Sequence, residues 1–401
     1  MHTKIKAVLT AALLAAAVAT PLAAPAEEKD DVKRAAPKAA AEEPYVVEAE
    51  IGIGYDSNAY LAPSAGYFDF AQGVFQPTVI QTGFFIPLSL KAKHSADLNA
   101  KSRFLTSFKL NADIYPESDT DKADEYDSTL KAGLEFVLGK KERREDTFYV
   151  GPFLGFHRDT YVNRDDGVEG VGGDRYSYNS IGLEAEYEKR IASLPYRIHA
   201  EIEDRNYPDP VGTVQQDHTY YELGADVDVP LGKRSKANLS YAYYVKDYTD
   251  RHARELNTTF STTTLVYQYH DFGVTLRNKL ADWLVVYLDY NYIIRNDDYV
   301  GYNDYTKNEY RIRIITREGK GMKLQAWFTY WDRDYPNAFA FDVSGQPQKT
   351  YDGIEARVKG DFALDKQWGL WAEYKYWNQN STDLRYDYDR YQVMAGVKWE
   401  M

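Results

Sequence analysis

From Tyr45 to the C-terminus, apolar and polar residues alternate with a period of two, over stretches longer than the 5–6 residues of an ordinary soluble strand. Tyr221, Leu223, Ala225, Val227, Val229 and Leu231 alternate with Glu222, Gly224, Asp226, Asp228 and Pro230. Ile181, Leu183, Ala185 and Tyr187 alternate with Gly182, Glu184, Glu186 and Glu188. Late in the chain, Ile354, Ala356, Val358 and Phe362 answer to Glu355, Arg357, Lys359 and Asp361, and Leu370, Ala372, Tyr374 and Tyr376 to Trp371, Glu373, Lys375 and Trp377. Each such strand has one face compatible with hydrocarbon and one compatible with water. Past the N-terminus no run of about 18 apolar residues occurs, so helices are not what would carry this chain through a membrane.

The connections alternate as well. Short links fall at Gly139–Asp146, Ile191–Pro195, Gly232–Lys236, Glu318–Gly321 and Leu364–Gln367. Longer links rich in Asp, Asn, Gly and Pro fall at Asp56–Gln76, Pro116–Glu125, Tyr161–Asp174, Pro208–Asp217, Thr249–Asn257, Asp297–Asp304, Pro336–Thr350 and Ser381–Asp387. Short turns at one end and long loops at the other predict an all-β fold, a transmembrane antiparallel up-and-down β-barrel of about sixteen strands. The segment Thr258–Tyr292 resists the parsing, because its apolar phase flips near His270-Asp271-Phe272-Gly273. A bulge or an extra turn would explain that, and leaves fourteen or eighteen strands open.

Tyrosine occurs 36 times, and its ring with a wet hydroxyl suits the level where hydrocarbon meets headgroups. Tyr115, Tyr149, Tyr178, Tyr207, Tyr220, Tyr243, Tyr248, Tyr292, Tyr305, Tyr330, Tyr335, Tyr351, Tyr376 and Tyr388 lie near predicted strand ends, as two aromatic girdles require. The final strand sets Tyr391, Val393, Ala395, Val397 and Trp399 on one face, which suits insertion by barrel-assembly machinery, although Glu400 and Met401 follow the last aromatic.

The N-terminus reads as an address. Lys4 and Lys6 precede an apolar run, Ala7–Ala19, broken only by Thr10; Pro21 and Ala24-Pro25-Ala26 then supply a cleavage region. Residues 1–26 are therefore expected to be a secretory signal peptide, 27–44 a flexible periplasmic leader, and 45–401 the barrel. The location expected is the outer membrane of a Gram-negative bacterium, with both termini periplasmic and the long loops outside. Zero cysteines exclude a disulfide scaffold, a thiol nucleophile and a thiolate metal site, and a net charge of −13 disfavours nucleic acid.

The polar phase of each strand should line the lumen. The first half of the chain offers an acidic wall of Glu135, Glu184, Glu186, Glu201, Glu203, Glu222 and Asp226, with Glu48, Glu50, Glu188 and Asp228 besides. The second half offers a basic wall of Arg311, Arg313, Arg317, Lys323, Arg357, Lys359 and Lys375, with Lys398 besides. Like signs within each half have no partner nearby in sequence, so opposed walls would set up a transverse field that filters polar solutes. The alternative is pairing between neighbouring strands in a hydrated lumen. Trp327, Trp331, Trp371 and Trp377, with Trp283, fall on the polar phase or near loop bases, where they could stack on sugars or brace the wall.

Catalytic chemistry finds little support. No HExxH, GxSxG or GxxxxGK[ST] occurs, and no two of the six histidines of the mature chain stand at a metal-ligand spacing. His218 beside Asp217 and His252 near Asp250 mimic an acid–histidine rim, but Asp217 and His218, adjacent in a strand, face opposite ways. The acidic loops Asn163–Asp174 and Asp119–Asp127 have oxygen ligands without EF-hand spacing; sharing of divalent cations with lipopolysaccharide phosphates fits them better. No cofactor, metal centre or enzymatic role is expected.

One local resemblance adds to this. Glu50-Ile51-Gly52-Ile53-Gly54-Tyr55-Asp56-Ser57-Asn58-Ala59-Tyr60 resembles the opening strand of an outer-membrane β-barrel porin family, and the same GYDSN turn that of the barrel part of surface lipoprotein assembly modifiers. The assembly modifiers carry a helical repeat domain before the barrel, and residues 27–44 are too short for one. The resemblance implies a porin-like barrel and carries over no catalytic residue. The expected function is a channel for passive diffusion of small polar solutes or oligosaccharides. The alternatives are a non-conducting barrel whose outer loops bind a partner, a polymer or lipopolysaccharide, and an export conduit for exopolysaccharide or lipoprotein. Expected partners are outer-membrane lipid and lipopolysaccharide, the assembly machinery and the solute; an oligomer is open.

Overall fold

The structure, a computed structural model, describes residues 45–138, 146–159, 176–191, 194–208, 215–318 and 321–401. The signal peptide and leader, most of the Gly139–Asp146 turn and the Asn163–Asp174 loop lie outside the described residues. β1 (Tyr45–Asp56) runs from the short-turn end to the long-loop end. A long connection follows and holds a separate small hairpin, β2 (Tyr67–Asp69) and β3 (Val74–Gln76). The wall continues with β4 (Gly83–Asn99), β5 (Ser102–Ile114), β6 (Glu125–Val137), β7 (Asp146–Asp159), β8 (Tyr178–Ile191), β9 (Leu194–Asn206) and β10 (His218–Pro230). It is completed by β11 (Ser235–Arg254), β12 (Phe260–Ala281), β13 (Leu284–Asp297), β14 (Tyr305–Glu318), β15 (Met322–Phe339), β16 (Gln348–Ala363), β17 (Trp368–Ser381) and β18 (Tyr388–Glu400).

Every wall strand pairs antiparallel with the next, and β18 pairs with β1. The chain is a transmembrane up-and-down β-barrel of sixteen strands. The side chains named in the alternating pattern divide as the period requires. Ile51, Ile53, Ile181, Leu183, Leu223, Ile312, Phe328, Val358 and Val397 stand on the outside, with Ile53 62% and Ile181 60% exposed. So large an apolar surface is incompatible with water and natural against hydrocarbon.

The segment that resisted parsing is two strands. β12 is 22 residues long, and its pairing with β11 is unbroken from Val266 to Asn278, so neither a bulge nor a turn occurs at His270–Gly273. The one irregularity with β13 comes later, between Lys279 and Ala281. The apolar phase flips for another reason. Phe272, Val274 and Leu276 face outward, whereas Leu265, Tyr267 and Tyr269 face inward and are buried with Tyr248 and Ala253. Above the lipid level the outside is wet, so the apolar side chains turn to the interior of the mouth. Two expected loops shorten accordingly: β11 runs to Arg254 with register shifts after Asp247, and β15 and β16 extend into Pro336–Thr350.

Closure is built at the GYDSN turn. Gly52 and Gly54 face inward; a Cβ on the first would lie 2.8 Å from the Trp371 ring, and on the second 2.5 Å from Phe85. Their absence of side chains lets Trp371, Phe85, Tyr115, Met394 and Ala59 pack into one buried cluster over the seam. Asp56, fully buried, accepts from Arg390 (3.0 and 2.5 Å), the Tyr115 hydroxyl (2.7 Å), Gln392 Nε2 (2.8 Å) and the Asn58 backbone N–H (2.9 Å). Ser57 and Tyr391 exchange two further hydrogen bonds across the seam. The turn is a clasp between the first strand and the last.

Candidate functional site

The inward phase carries the charges assigned to the lumen. On β8–β10 these are Glu184, Glu186, Glu188, Glu201, Glu203, Glu222, Asp226 and Asp228, with Arg190, Arg197, His199 and Arg205 among them. On β14–β17 they are Lys307, Arg311, Arg313, Lys323, Arg333, Arg357, Lys359 and Lys375, with Glu309, Glu355, Asp361 and Glu373 among them. The side chain of Arg317 lies outside the described residues. The expectation that like-signed neighbours lack partners does not hold. Arg103 pairs with Glu135 (2.5 Å), Lys131 with Glu184, Arg197 with Asp226 (2.6 Å), His199 with Glu222 (2.7 Å) and Arg205 with Glu203 (2.7 Å). On the other side Arg311 meets Glu309 (2.8 Å), Arg313 meets Asp289 (3.1 Å), Arg357 and Lys375 share Glu373, and Lys359 meets Glu50 (2.8 Å). Sequence distance hid these partners: a barrel brings Lys131 to Glu184 over β7 and Lys359 to Glu50 over β17 and β18. What survives pairing is a bias. Acids exceed bases on β8–β10, bases exceed acids on β14–β15, and β16–β17 are nearly balanced.

Each of the four lumenal tryptophans has a cation on its ring. Arg357 lies 4.7 Å from the Trp327 centroid, Lys307 and Arg333 5.3 Å from Trp331, Lys359 5.1 Å from Trp371, and Arg390 5.2 Å from Trp377. Trp371 is buried, and its indole N–H donates to the Val397 carbonyl (3.2 Å). Trp283 stands exposed beyond the end of β12. Trp371 in particular braces the seam and presents no open platform.

The tyrosines are mostly not on the outer girdles. Tyr115, Tyr149, Tyr178, Tyr220, Tyr248, Tyr305, Tyr335 and Tyr351 share the inward phase, whereas Tyr243, Tyr292, Tyr330 and Tyr376 share the outward one. At the long-loop end the inward rings run without a break through His157, Tyr178, Tyr207, His218, Tyr248, Tyr267, Tyr269, Tyr305, Tyr335, Tyr351 and Tyr386, with successive centroids 5.0–6.4 Å apart. Guanidinium groups are set into this collar. Arg295 lies 4.2 Å from the Tyr267 centroid and 4.3 Å from that of Tyr305, and it donates to the Asn303 carbonyl (2.9 Å). Arg333 contacts Tyr305 and Tyr351. Sequence reasoning named Tyr178, Tyr207, Tyr248, Tyr305, Tyr335 and Tyr351 but not Tyr267, Tyr269 or Tyr386, and gave those it named the wrong face, because strand ends above the lipid reverse the usual apolar-out rule.

Above the collar the loops are tied together. Phe341 and Asp342 hold φ of 59° and 54°, a left-handed conformation costly for such side chains. The Phe341 backbone N–H donates to buried Asp383 (2.9 Å), and its ring packs with Tyr67 and Phe70 of the β2–β3 region. Asp342 is ringed by Lys349 (3.1 Å), Arg385 (3.8 Å) and Arg254 (4.0 Å) and accepts from the Tyr302 hydroxyl (3.2 Å). Burial would raise the Asp342 carboxyl, but Lys349, Arg254 and Arg385 outweigh it and hold the group below its ordinary value. Burial, with the charge of Asp342, pushes the Tyr302 hydroxyl up to about 12. Connections from β1, β11, β13, β15 and β17 thus meet in one network.

The acid–histidine rim is not assembled. His218 Nδ1 bonds the Gln216 carbonyl and His252 Nδ1 the Ser261 carbonyl, each at 2.7 Å, while Asp217 accepts from the Tyr207 backbone N–H. In the described part of the acidic loops, Asp124 is occupied by the Tyr115 backbone N–H (2.7 Å) and Asp127 lies 3.6 Å from His157.

No family model matches the chain, and no curated protein matches it. Solved structures similar to it are outer-membrane barrels. They include OmpF from Salmonella typhi in complex with daunomycin, at 11% identity and a TM-score of 0.48, covering 89% of this chain and 97% of the other. An anion-selective porin from Comamonas acidovorans matches at 11% identity and 0.46, covering 89% and 98%. A bacterial polysaccharide outer membrane secretin matches at 10% identity and 0.43, covering 88% and 97%.

Proposed function

We propose that the chain is a porin-like channel in the outer membrane of a Gram-negative bacterium, exported through a signal peptide over 1–26, for passive diffusion of small polar solutes or oligosaccharides. The observation that carries this reading is the closed ring of sixteen strands with an apolar outside and a charged inside. Side chains fill the interior of a barrel of about eight strands, whereas about sixteen leave an aqueous channel. The charge bias between β8–β10 and β14–β15 would then orient polar solutes in transit, and no catalytic role is proposed. Lipid and lipopolysaccharide would surround the barrel, and assembly machinery would insert it.

A second reading has one observation in its favour: the Tyr67–Phe341–Asp342–Arg254 network ties the long connections to one another. A barrel whose mouth is covered would act through its outer loops, by binding a partner, a polymer or lipopolysaccharide. Single-channel recording of the refolded mature chain in a planar bilayer, with reversal potentials under a salt gradient, separates the two. Stable ion-selective steps support the channel. A folded, heat-modifiable barrel that never conducts overturns it in favour of the loops.

A further inference from the structure

The register of β9–β13 creates an indentation in the lumen wall. Gly224 lies opposite Ala242 and His199; Ala242 lies opposite Asp271; Ser240 lies opposite Gly273 and Asp226; Gly273 lies opposite Asn291. Gly224 makes room for the His199 ring and Gly273 for the Ser240 hydroxyl, since a Cβ at either position would run into that side chain. Beside these two side chains lies a recess of about 270 Å³, with Ala242 as its small inward residue and Arg197, His199, Glu222, Asp226, Asn238, Ser240, Asp271 and Asn291 around it. That is just under the lower end of small-molecule sites, about 300 Å³, and suits one monosaccharide-sized group.

The charges of the recess do not cancel. Arg197 is held by Asp226 at 2.6 Å, and His199 by Glu222 at 2.7 Å. Asn238 donates to Asp226 (3.0 Å), and the Tyr220 hydroxyl donates to Glu222. Asp271, Ser240 and Asn291 are left with no side-chain hydrogen-bond partner among the described residues. A carboxylate, a hydroxyl and an amide line one indentation, and the carboxylate, Asp271, makes no ion pair among the described residues. Hydroxyl and amide groups match the alternating donors and acceptors of a polyol, and a carboxylate without a partner favours a cation.

We propose that this recess is a binding site for a small hydroxylated cation of the amino-sugar class, its ammonium on Asp271 and its hydroxyls on Ser240 and Asn291. The site rests on the channel reading only in that the lumen must admit the solute. The geometry selects against acidic sugars, which would bring a second carboxylate to Asp271.

The test uses the refolded mature barrel in detergent micelles, titrated calorimetrically with D-glucosamine, D-glucose and D-glucuronate. Glucosamine should bind more tightly than glucose, and glucuronate should not bind. Asp271→Asn should weaken glucosamine binding about tenfold, as loss of one charge-assisted hydrogen bond requires, while Glu117→Gln, exposed on the connection between β5 and β6, should leave it unchanged. Asn291→Leu, which removes a neutral group from the opposite rim, should weaken it as well and serves if Asp271→Asn fails to fold. Equal binding of glucose, no binding of glucosamine, or folded variants that bind like the parent overturn the site. Conductance of the same preparation separates the two readings: a barrel that conducts without binding loses only the recess, and one that binds without conducting loses only the channel.

Discussion

Lys359 on β16 donates to both carboxylate oxygens of Glu50 on β1, at 3.0 and 2.8 Å, reaching over β17 and β18. The two side chains are mostly buried, at 13% and 21% exposure, and Lys359 also lies against Trp371. A pair so placed is more than a neighbour-to-neighbour contact of the wall, because it ties the closing strands together from inside. Lys359→Gln leaves Glu50 uncompensated and is expected to destabilise the barrel by about 1–3 kcal/mol. Adding Glu50→Gln should recover part of that loss, with a coupling of about 0.5–3 kcal/mol in the cycle. The urea midpoint of the heat-modifiable band measures both, and additive effects would mean the pair contributes nothing.

The clasp at Asp56 should be more costly to break. Asp56 is fully buried, with Arg390, Tyr115, Gln392 and the Asn58 N–H all donating to it. Asp56→Ala leaves a buried guanidinium without its acid, and a loss of about 3–5 kcal/mol is expected. Tyr115→Phe removes one charge-assisted donor and should cost about 1–3 kcal/mol. Refolding yield and urea midpoint read both; an Asp56→Ala barrel as stable as the parent would show that the seam closes by strand pairing and packing alone.

The barrel was legible because its cause is periodic. Alternation fixes which face of Ile181–Tyr187 or Leu370–Tyr376 is apolar without any knowledge of the partner strand. Turn composition separated the two ends, and the described strands start and stop within a few residues of the expected links at Pro208–Asp217, Asp297–Asp304 and Ser381–Asp387. The partners of the charges were not legible. Lys131 meets Glu184 only once β6, β7 and β8 are paired, and Arg390 meets Asp56 only after the sheet has closed, so sequence distance says nothing of either. The apparent phase flip near His270–Gly273 misled for a third reason: alternation gives the face but not the height, and apolar-out reverses to apolar-in above the lipid, where Tyr267 and Tyr269 turn inward.

Selectivity should follow the charge that survives pairing. β14 and β15 hold the surplus of bases, and Arg311 and Arg313 face the lumen with Glu309 and Asp289 beside them. Replacing both by Glu sets four acids where two pairs stood, so the reversal potential under a salt gradient should move toward cations. Lys substitutions at the same positions should keep the parent value. An unchanged reversal potential in a conducting Glu variant would remove the transverse bias as an explanation of selectivity.

The loop network at the mouth predicts a two-sided pH dependence. Asp342 is held below its ordinary value despite its burial by Lys349, Arg254 and Arg385. A depressed carboxylate contributes stability that is complete above its unfolded value, about 3.9, and is lost as pH falls through the folded one. Tyr302, which donates to Asp342, is pushed up to about 12. A raised phenol contributes stability that is complete below its unfolded value, about 10, and is lost as pH rises through the folded one. The loop should therefore stay closed from about pH 4 to about pH 10 and loosen outside that window. A nitroxide on Ser344→Cys, exposed at the loop tip, reports this directly, with mobility constant between pH 5 and 8 and rising at both extremes. Asp342→Asn should raise the mobility at pH 7 and abolish the acid transition, since the titrating group is gone. A label equally mobile at pH 7 in parent and variant would show that Phe341 packed on Tyr67 and Phe70 holds the loop without the charges.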